Sequence, residues 1–140
     1  MLSKKAQYAF QALMYMADKP ANEPTLIAEI SKKRRIPLKF LENILLQLKN
    51  EGVLESKKGK GGGYILKHPP KKITLAKVIR ALDGPIALLP CISLNFYEKC
   101  ADCDEMNCGL RHVMAMARDA TLKVLEKKTL ADLVEGPEFV

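Results

Sequence analysis

Cys91, Cys100, Cys103 and Cys108 are the four cysteines of the chain, and all of them fall within 18 consecutive residues. Four soft sulfur donors so close together can surround one metal ion or one iron-sulfur cluster, since a tetrahedral zinc site and a cluster both need thiolates converging from a short segment. His112, one turn beyond Cys108, is a possible fifth ligand, although a lone histidine on a helix surface is more often only solvated. The pair Cys100-x-x-Cys103 could instead be a redox dithiol. That chemistry favours a cysteine that opens a helix after a strand, whereas Cys100 follows Phe96-Tyr97-Glu98-Lys99 inside a loop. Ligation is the better reading, and the spacing does not separate zinc from iron.

A ligand site in a loop needs rigid elements on either side. Downstream, from Gly109 to Lys128, Leu110, Val113, Met114, Ala117, Thr121, Val124 and Leu125 recur three and four residues apart, which predicts a long helix. No other segment offers it a partner, so its apolar face predicts packing against its copy in a second subunit, a homodimer. Packing back onto the chain's own first helix is the alternative. Thr129 and Asp132 have capping-box spacing for a last short helix before an acidic tail. Upstream, Thr74 is placed to cap a helix from Leu75 to Leu82, which Asp83-Gly84-Pro85 ends. Between these helices Ile86 to Asn107 shows no periodicity. A structureless stretch of about twenty residues is usually functional or disordered, and with its cysteines this one predicts a loop ordered by its ligand.

Charge divides the chain. Residues 1–80 hold 17 Lys or Arg against 6 Asp or Glu, while residues 81–140 hold 6 against 10, so the net +7 comes from a basic first part joined to an acidic second. A basic segment of this kind points to a nucleic-acid face. Its elements agree. Ser3 can cap a first helix to about Asp18, with Ala6, Ala9, Phe10, Leu13, Met16 and Ala17 inward, and Ser3, Lys4, Lys5 and Tyr8 in its first turns are candidates to meet a phosphate. Thr25 is placed to cap a short second helix with Leu26, Ile27 and Ile30 inward, and Ser31 to Pro37 reads as a basic turn carrying Lys33 and Arg34. Pro37 to Asn50 predicts a third helix, with Leu41, Ile44, Leu45 and Leu48 on one face and Lys39, Glu42, Asn43 and Gln47 on the other. A recognition helix meets bases with its first turns. Lys39 suits guanine O6 or N7, Asn43 suits adenine, and Glu42 can accept from cytosine N4. Phe40 either fills the core or touches a sugar or thymine methyl, and Leu38 belongs to the same turn.

The run Ser56 to Tyr64 turns a hairpin between Val53-Leu54-Glu55 and Tyr64-Ile65-Leu66, with Lys57, Lys58 and Lys60 at its tip. It reads as a basic wing. Gly59 and Gly61 let backbone come close to phosphate, and Lys58 and Lys60 suit the minor groove. A nucleotide-binding loop is excluded, because Gly63 runs into Tyr64-Ile65 rather than into Gly-Lys-Ser/Thr and a helix. No Ser/His/Asp or paired-carboxylate constellation supports an enzyme. Without a leader pattern or a run of roughly 18 apolar residues, the expectation is a cytoplasmic protein with no membrane partner, where thiols ligate metal rather than form disulfides.

These residues resemble the IscR-type winged-helix transcriptional regulators, the family of NsrR, RirA and CymR. The resemblance covers nearly the whole chain. It rests on Ser3 to Leu13, on Ile36-Pro37-Leu38-Lys39-Phe40-Leu41-Glu42, on Gly59-Lys60-Gly61-Gly62-Gly63-Tyr64, on Ala81-Leu82-Asp83-Gly84-Pro85 and on Cys108-Gly-Leu-Arg before a long helix. It implies a mainly α fold with a small β-hairpin: a winged helix-turn-helix over residues 1–83, a cysteine-bearing loop over 84–108, and a dimerisation helix with its tail over 109–140. It also implies a homodimeric repressor or activator on a palindromic operator in double-stranded DNA. A 2Fe-2S or 4Fe-4S cluster would be held by three loop cysteines, with the extra cysteine or His112 as fourth ligand. Zinc-stabilised, thiol-redox and partner-protein-controlled regulators of the same fold, without a cluster, are the alternatives. Cluster binding would order the loop and set the separation of the two recognition helices, which must match one DNA turn of about 34 Å.

Overall fold

The computed structural model of the chain describes residues 2–99, 104 and 106–135. Helix α1 (Lys4–Ala17) is the element on which the others gather. Its small side chains Ala6, Ala9 and Ala12 are fully buried beside Leu13, and a methyl-sized face lets neighbouring helices come close. Ser3 caps it as expected, the hydroxyl accepting from the Ala6 amide at 3.0 Å. Helices α2 (Ile27–Arg34), α3 (Leu38–Asn50), α4 (Leu75–Asp83) and α6 (Leu130–Val134) all pack against α1. The amphipathic spacing of α3 holds: Leu41, Ile44, Leu45 and Leu48 are fully buried.

Strands β1 (Leu54–Lys57) and β2 (Gly63–Leu66) form the expected antiparallel hairpin, with Leu54 opposite Leu66 and Lys57 opposite Gly63. Thr25 extends it by one bridge, exchanging two 2.9 Å backbone hydrogen bonds with Tyr64. This corrects the role expected of Thr25. It is buried as an edge partner of the wing and does not cap α2, which starts at Ile27 with Leu26 exposed before it. The bridge also explains Gly63, where any Cβ would lie 2.3 Å from the Thr25 carbonyl oxygen. A second correction concerns the basic run. Ser31 to Arg34 form the last turns of α2, and the true turn is Arg35 in the left-handed region, Ile36 and Pro37.

The segment after α4 is not structureless throughout. Pro90–Ile92 makes a single 3-10 turn docked on α5 (Gly109–Leu125), where the Arg118 Nη1 donates to the Ile92 carbonyl at 2.5 Å. Helix α5 stops at Leu125, three residues short of the expected end. Only Leu122 on it is buried, and Leu110, Val113, Met116 and Val124 stand exposed. The chain then returns to the first domain. Thr129 and Asp132 make the capping box of α6, the Leu130 amide donates to the Ile73 carbonyl at 3.0 Å, and Leu130 is fully buried in the main core. Among the described residues no helix is long and apolar enough to cross a membrane.

The joint between α1 and α2 is polar. Glu29 accepts from the Tyr15 hydroxyl at 2.5 Å and pairs with Lys19 at 2.5 Å. The Lys19 ammonium first, and the Tyr15 hydroxyl next, hold the Glu29 carboxyl below its ordinary value of 4.5. Glu29 in turn raises Lys19 and Tyr15 above their ordinary 10.5 and 10.0. A depressed carboxylate contributes stability above its unfolded value and loses it as pH falls through the folded one. Glu29→Gln should therefore melt below the wild type near neutral pH, and the gap should close on acidification below 4.5. An equal gap at neutral pH and at about pH 3 would show that this contact does not act through its charge.

Candidate nucleic-acid interface and cysteine loop

Two faces of the winged domain meet at the start of α3. At about 100° per residue, Lys39, Asn43, Leu46 and Asn50 share the side of α3 opposite its buried leucines. All four are exposed. Phe40 turns instead toward α1, where its ring meets Tyr8 edge to face at 5.6 Å between centroids. Lys4 lies over the Tyr8 ring at 5.1 Å, so Lys4, Tyr8 and Phe40 form one strip beside the recognition face. Leu38 is exposed in the same first turn, and Glu42 is exposed on the flank. The hairpin tip carries Lys58, Gly59, Lys60 and Gly61 into solvent, and among the described residues neither lysine is in an ion pair.

Other candidates are placed differently. Arg34 is turned onto α1: its Nη1 donates to Gln11 Oε1 at 3.1 Å and its guanidinium stacks over Tyr15 at 5.7 Å. It braces the helix-turn-helix, while Lys33 beside it stays exposed. Ser3 is tied to Asp83 through both its amide and its hydroxyl. Gln47, expected on the solvent face, is half-buried and bridges Lys5 to the Ala81 carbonyl. Two residues not singled out from the sequence join the basic surface. Lys49 and Lys67 line a shallow groove with Lys57 and Glu55 between the end of α3 and the wing. Their signal was weak, because a lone exposed lysine reads like any solvated one.

Of the cysteines, Cys100 and Cys103 lie outside the described residues. Cys108 is the N-cap of α5, and its sulfur accepts from the Arg111 amide at 3.4 Å. The Arg111 Nε is buried and has no hydrogen-bond partner among the described residues. An orphan donor one turn from a cysteine fits an anionic sulfur centre, whose thiolates and sulfides accept such bonds. Cys91 is buried in the 3-10 turn that Arg118 anchors, and Arg118 lies about 15 Å along α5 from Cys108 at 1.5 Å per residue. His112 is exposed in the first turn. Among the described residues no group of three potential ligands is assembled.

A helix-turn-helix flanked by a lysine-tipped wing defines a DNA-binding regulator of the winged-helix class. The chain belongs to the Rrf2 family, described as iron-dependent transcriptional regulators, whose sequence pattern matches residues 2–136. An Rrf2-like HTH-type transcriptional regulator of Rhodobacter capsulatus is 38% identical over 138 residues, covering 96% of this chain and 92% of its own. The HTH-type transcriptional regulator NsrR of Bacillus subtilis is 30% identical over 139 residues, covering 99% and 93%. Among solved structures, CymR, the global cysteine regulator of B. subtilis, superposes with a TM-score of 0.79 at 30% identity over 96% of each chain. These matches bear out the family resemblance and the winged-helix fold. These relatives are named as transcriptional regulators, in keeping with the expectation that the chain is not an enzyme.

If the wing lysines lie on phosphates, Lys58→Ala with Lys60→Ala will make the fall of DNA affinity with salt shallower by roughly one to two units of log-log slope. An unchanged slope would place these side chains away from the duplex.

Proposed function

We propose that the chain is a homodimeric, cytoplasmic transcription factor whose binding to a palindromic operator is controlled by an iron-sulfur cluster on the loop cysteines. The observation that carries the reading is Cys108 at the N-cap of α5 with, three residues on, the buried Arg111 Nε that has no hydrogen-bond partner among the described residues. The family's description as iron-dependent supports the choice of iron. Cys100, Cys103 and Cys108 are the proposed ligands, completed by Cys91 or His112. When bound, such a cluster supplies a group whose oxidation or loss frees the loop's thiolates.

The chain's own residues do the rest. Leu110, Val113 and Val124 lie within one exposed face of α5, well apart from buried Leu122, and that face is the proposed seat of the second subunit. Ordering of residues 84–108 against α5 would set where each winged domain stands. The two copies of Lys39 and Asn43 would then fall one DNA turn apart, about 34 Å, or miss that spacing. Lys4, Tyr8, Lys33, Lys58 and Lys60 would hold the phosphates, with the backbone at Gly59 and Gly61 close to them.

A second reading, a thiol-based or partner-controlled regulator without iron, with or without structural zinc, is favoured by the likeness to CymR, the global cysteine regulator of B. subtilis. Visible absorption of protein purified without oxygen, with iron, zinc and acid-labile sulfide assayed on one sample, separates the two. The proposal expects absorbance near 400 nm with iron and sulfide in matched amounts, both lost in Cys108→Ser. Colourless protein that takes up no iron after reconstitution would move the assignment to the second reading.

A further inference from the structure

Hydrogen-bonded ties converge where α4 ends and the cysteine loop begins. Gln47 of α3 donates to the Ala81 carbonyl at 3.0 Å and accepts from Lys5 Nζ at 3.3 Å. Two residues on, Ser3 takes both oxygens of Asp83: its amide donates to Oδ2 at 3.1 Å and its hydroxyl donates to Oδ1. The same hydroxyl caps α1 by accepting from the Ala6 amide. The Asp83 carboxylate thus stands at the negative C-terminal end of α4, where the helix dipole disfavours it, and at the positive N-terminal end of α1, where the dipole favours it. Its placement makes sense for α1, not for α4.

The first turns of α1 are also half of the DNA-facing strip, through Lys4 over Tyr8 and Tyr8 against Phe40. From Asp83 the chain leaves through Gly84, at φ +83 and ψ −133, and then Pro85, so the loop's heading is set at the same point. Leu2, Asp83, Pro85, Ile86 and Arg118 line part of a cavity of about 380 Å³ between α4, the loop and α5. The loop and α5 thus face α4 across an open hollow, with the Asp83 contact at its edge.

We propose that Asp83 is a positioning residue for DNA binding. Through Ser3 it holds Lys4 and Tyr8 in register with α3, and it passes the set of the cysteine loop to that face within one subunit. This route needs no subunit interface and no particular ligand on the loop. It rests only on the chain being a DNA-binding regulator.

The test uses the full chain and a duplex that the wild-type protein has selected from a random double-stranded pool. Asp83→Ala should weaken binding about fivefold or more, and Ser3→Ala, which removes the hydroxyl bond but keeps the amide's bond to Oδ2, should weaken it in the same direction by less. Gly84→Ala strains the loop exit without a clash, since nothing lies within 4 Å of the added methyl. It should weaken binding alone, add nothing in the Asp83→Ala background, and add less than its own effect in the Ser3→Ala background. Thermal melts confine the comparison to folded samples, and Ser3→Ala serves where Asp83→Ala does not fold. Folded variants that bind with wild-type affinity overturn the proposal, and so do independent, additive losses across Gly84→Ala and either partner variant. Wild-type protein that binds the duplex but carries no iron defeats the cluster reading and leaves this test intact.

Discussion

The close approach of four helices to one face of α1 is the constraint on which the rest of the molecule depends. Ala6, Ala9 and Ala12 present only methyl groups there, so α2, α3, α4 and α6 can all sit against one short helix. A larger side chain at any of these positions would push a neighbour outward, and interiors packed at this density absorb such a change by moving helices. What moves would matter. α3 carries the side chains proposed to read bases, α4 leads into the cysteine loop, and α6 returns the chain after α5. The same helix that stands at the centre of the core therefore fixes the relation between the winged domain and the segment that bears the thiols.

Much of this was legible in the residues. The recognition helix announced itself through leucines and isoleucine at helical spacing, and the wing through a glycine-lysine run between two β-prone pieces, because both are local patterns with a single good solution. Thr25 was not legible. A threonine before an apolar run looks like a cap, and its use as a one-residue strand partner depends on Tyr64, nearly forty positions away. Arg34 was hidden for a related reason: within a Lys/Arg run no local signal tells a phosphate contact from a side chain stacked on Tyr15. Five-residue α6 is too short for periodicity to show that Leu130 is core. Of the candidate cysteine site, the donors were plain from the sequence, whereas the docking of Pro90–Ile92 on Arg118 and the orphan donor of Arg111 exist only in three dimensions.

The cysteine loop joins a rigid DNA-binding core to a helix with an uncovered apolar face, and each junction has its own geometry. At one end Asp83 and Gly84 set how the chain leaves α4; at the other Cys108 caps α5. A group bound between them pulls on two elements at once. Under the proposed function, that arrangement would turn a local change in thiolate ligation into a change in a DNA surface, because a bound group can shift an equilibrium only by what it contacts differently in the two states.

The most direct measurement is the affinity of oxygen-free protein for one selected duplex, before and after its loop-bound iron is removed by a chelator, at fixed salt. The account predicts a change of about tenfold, in either direction, that disappears when Cys108 is replaced by serine. Equal affinity with and without iron, in protein shown to hold it beforehand, would contradict control of operator binding by the cysteine loop.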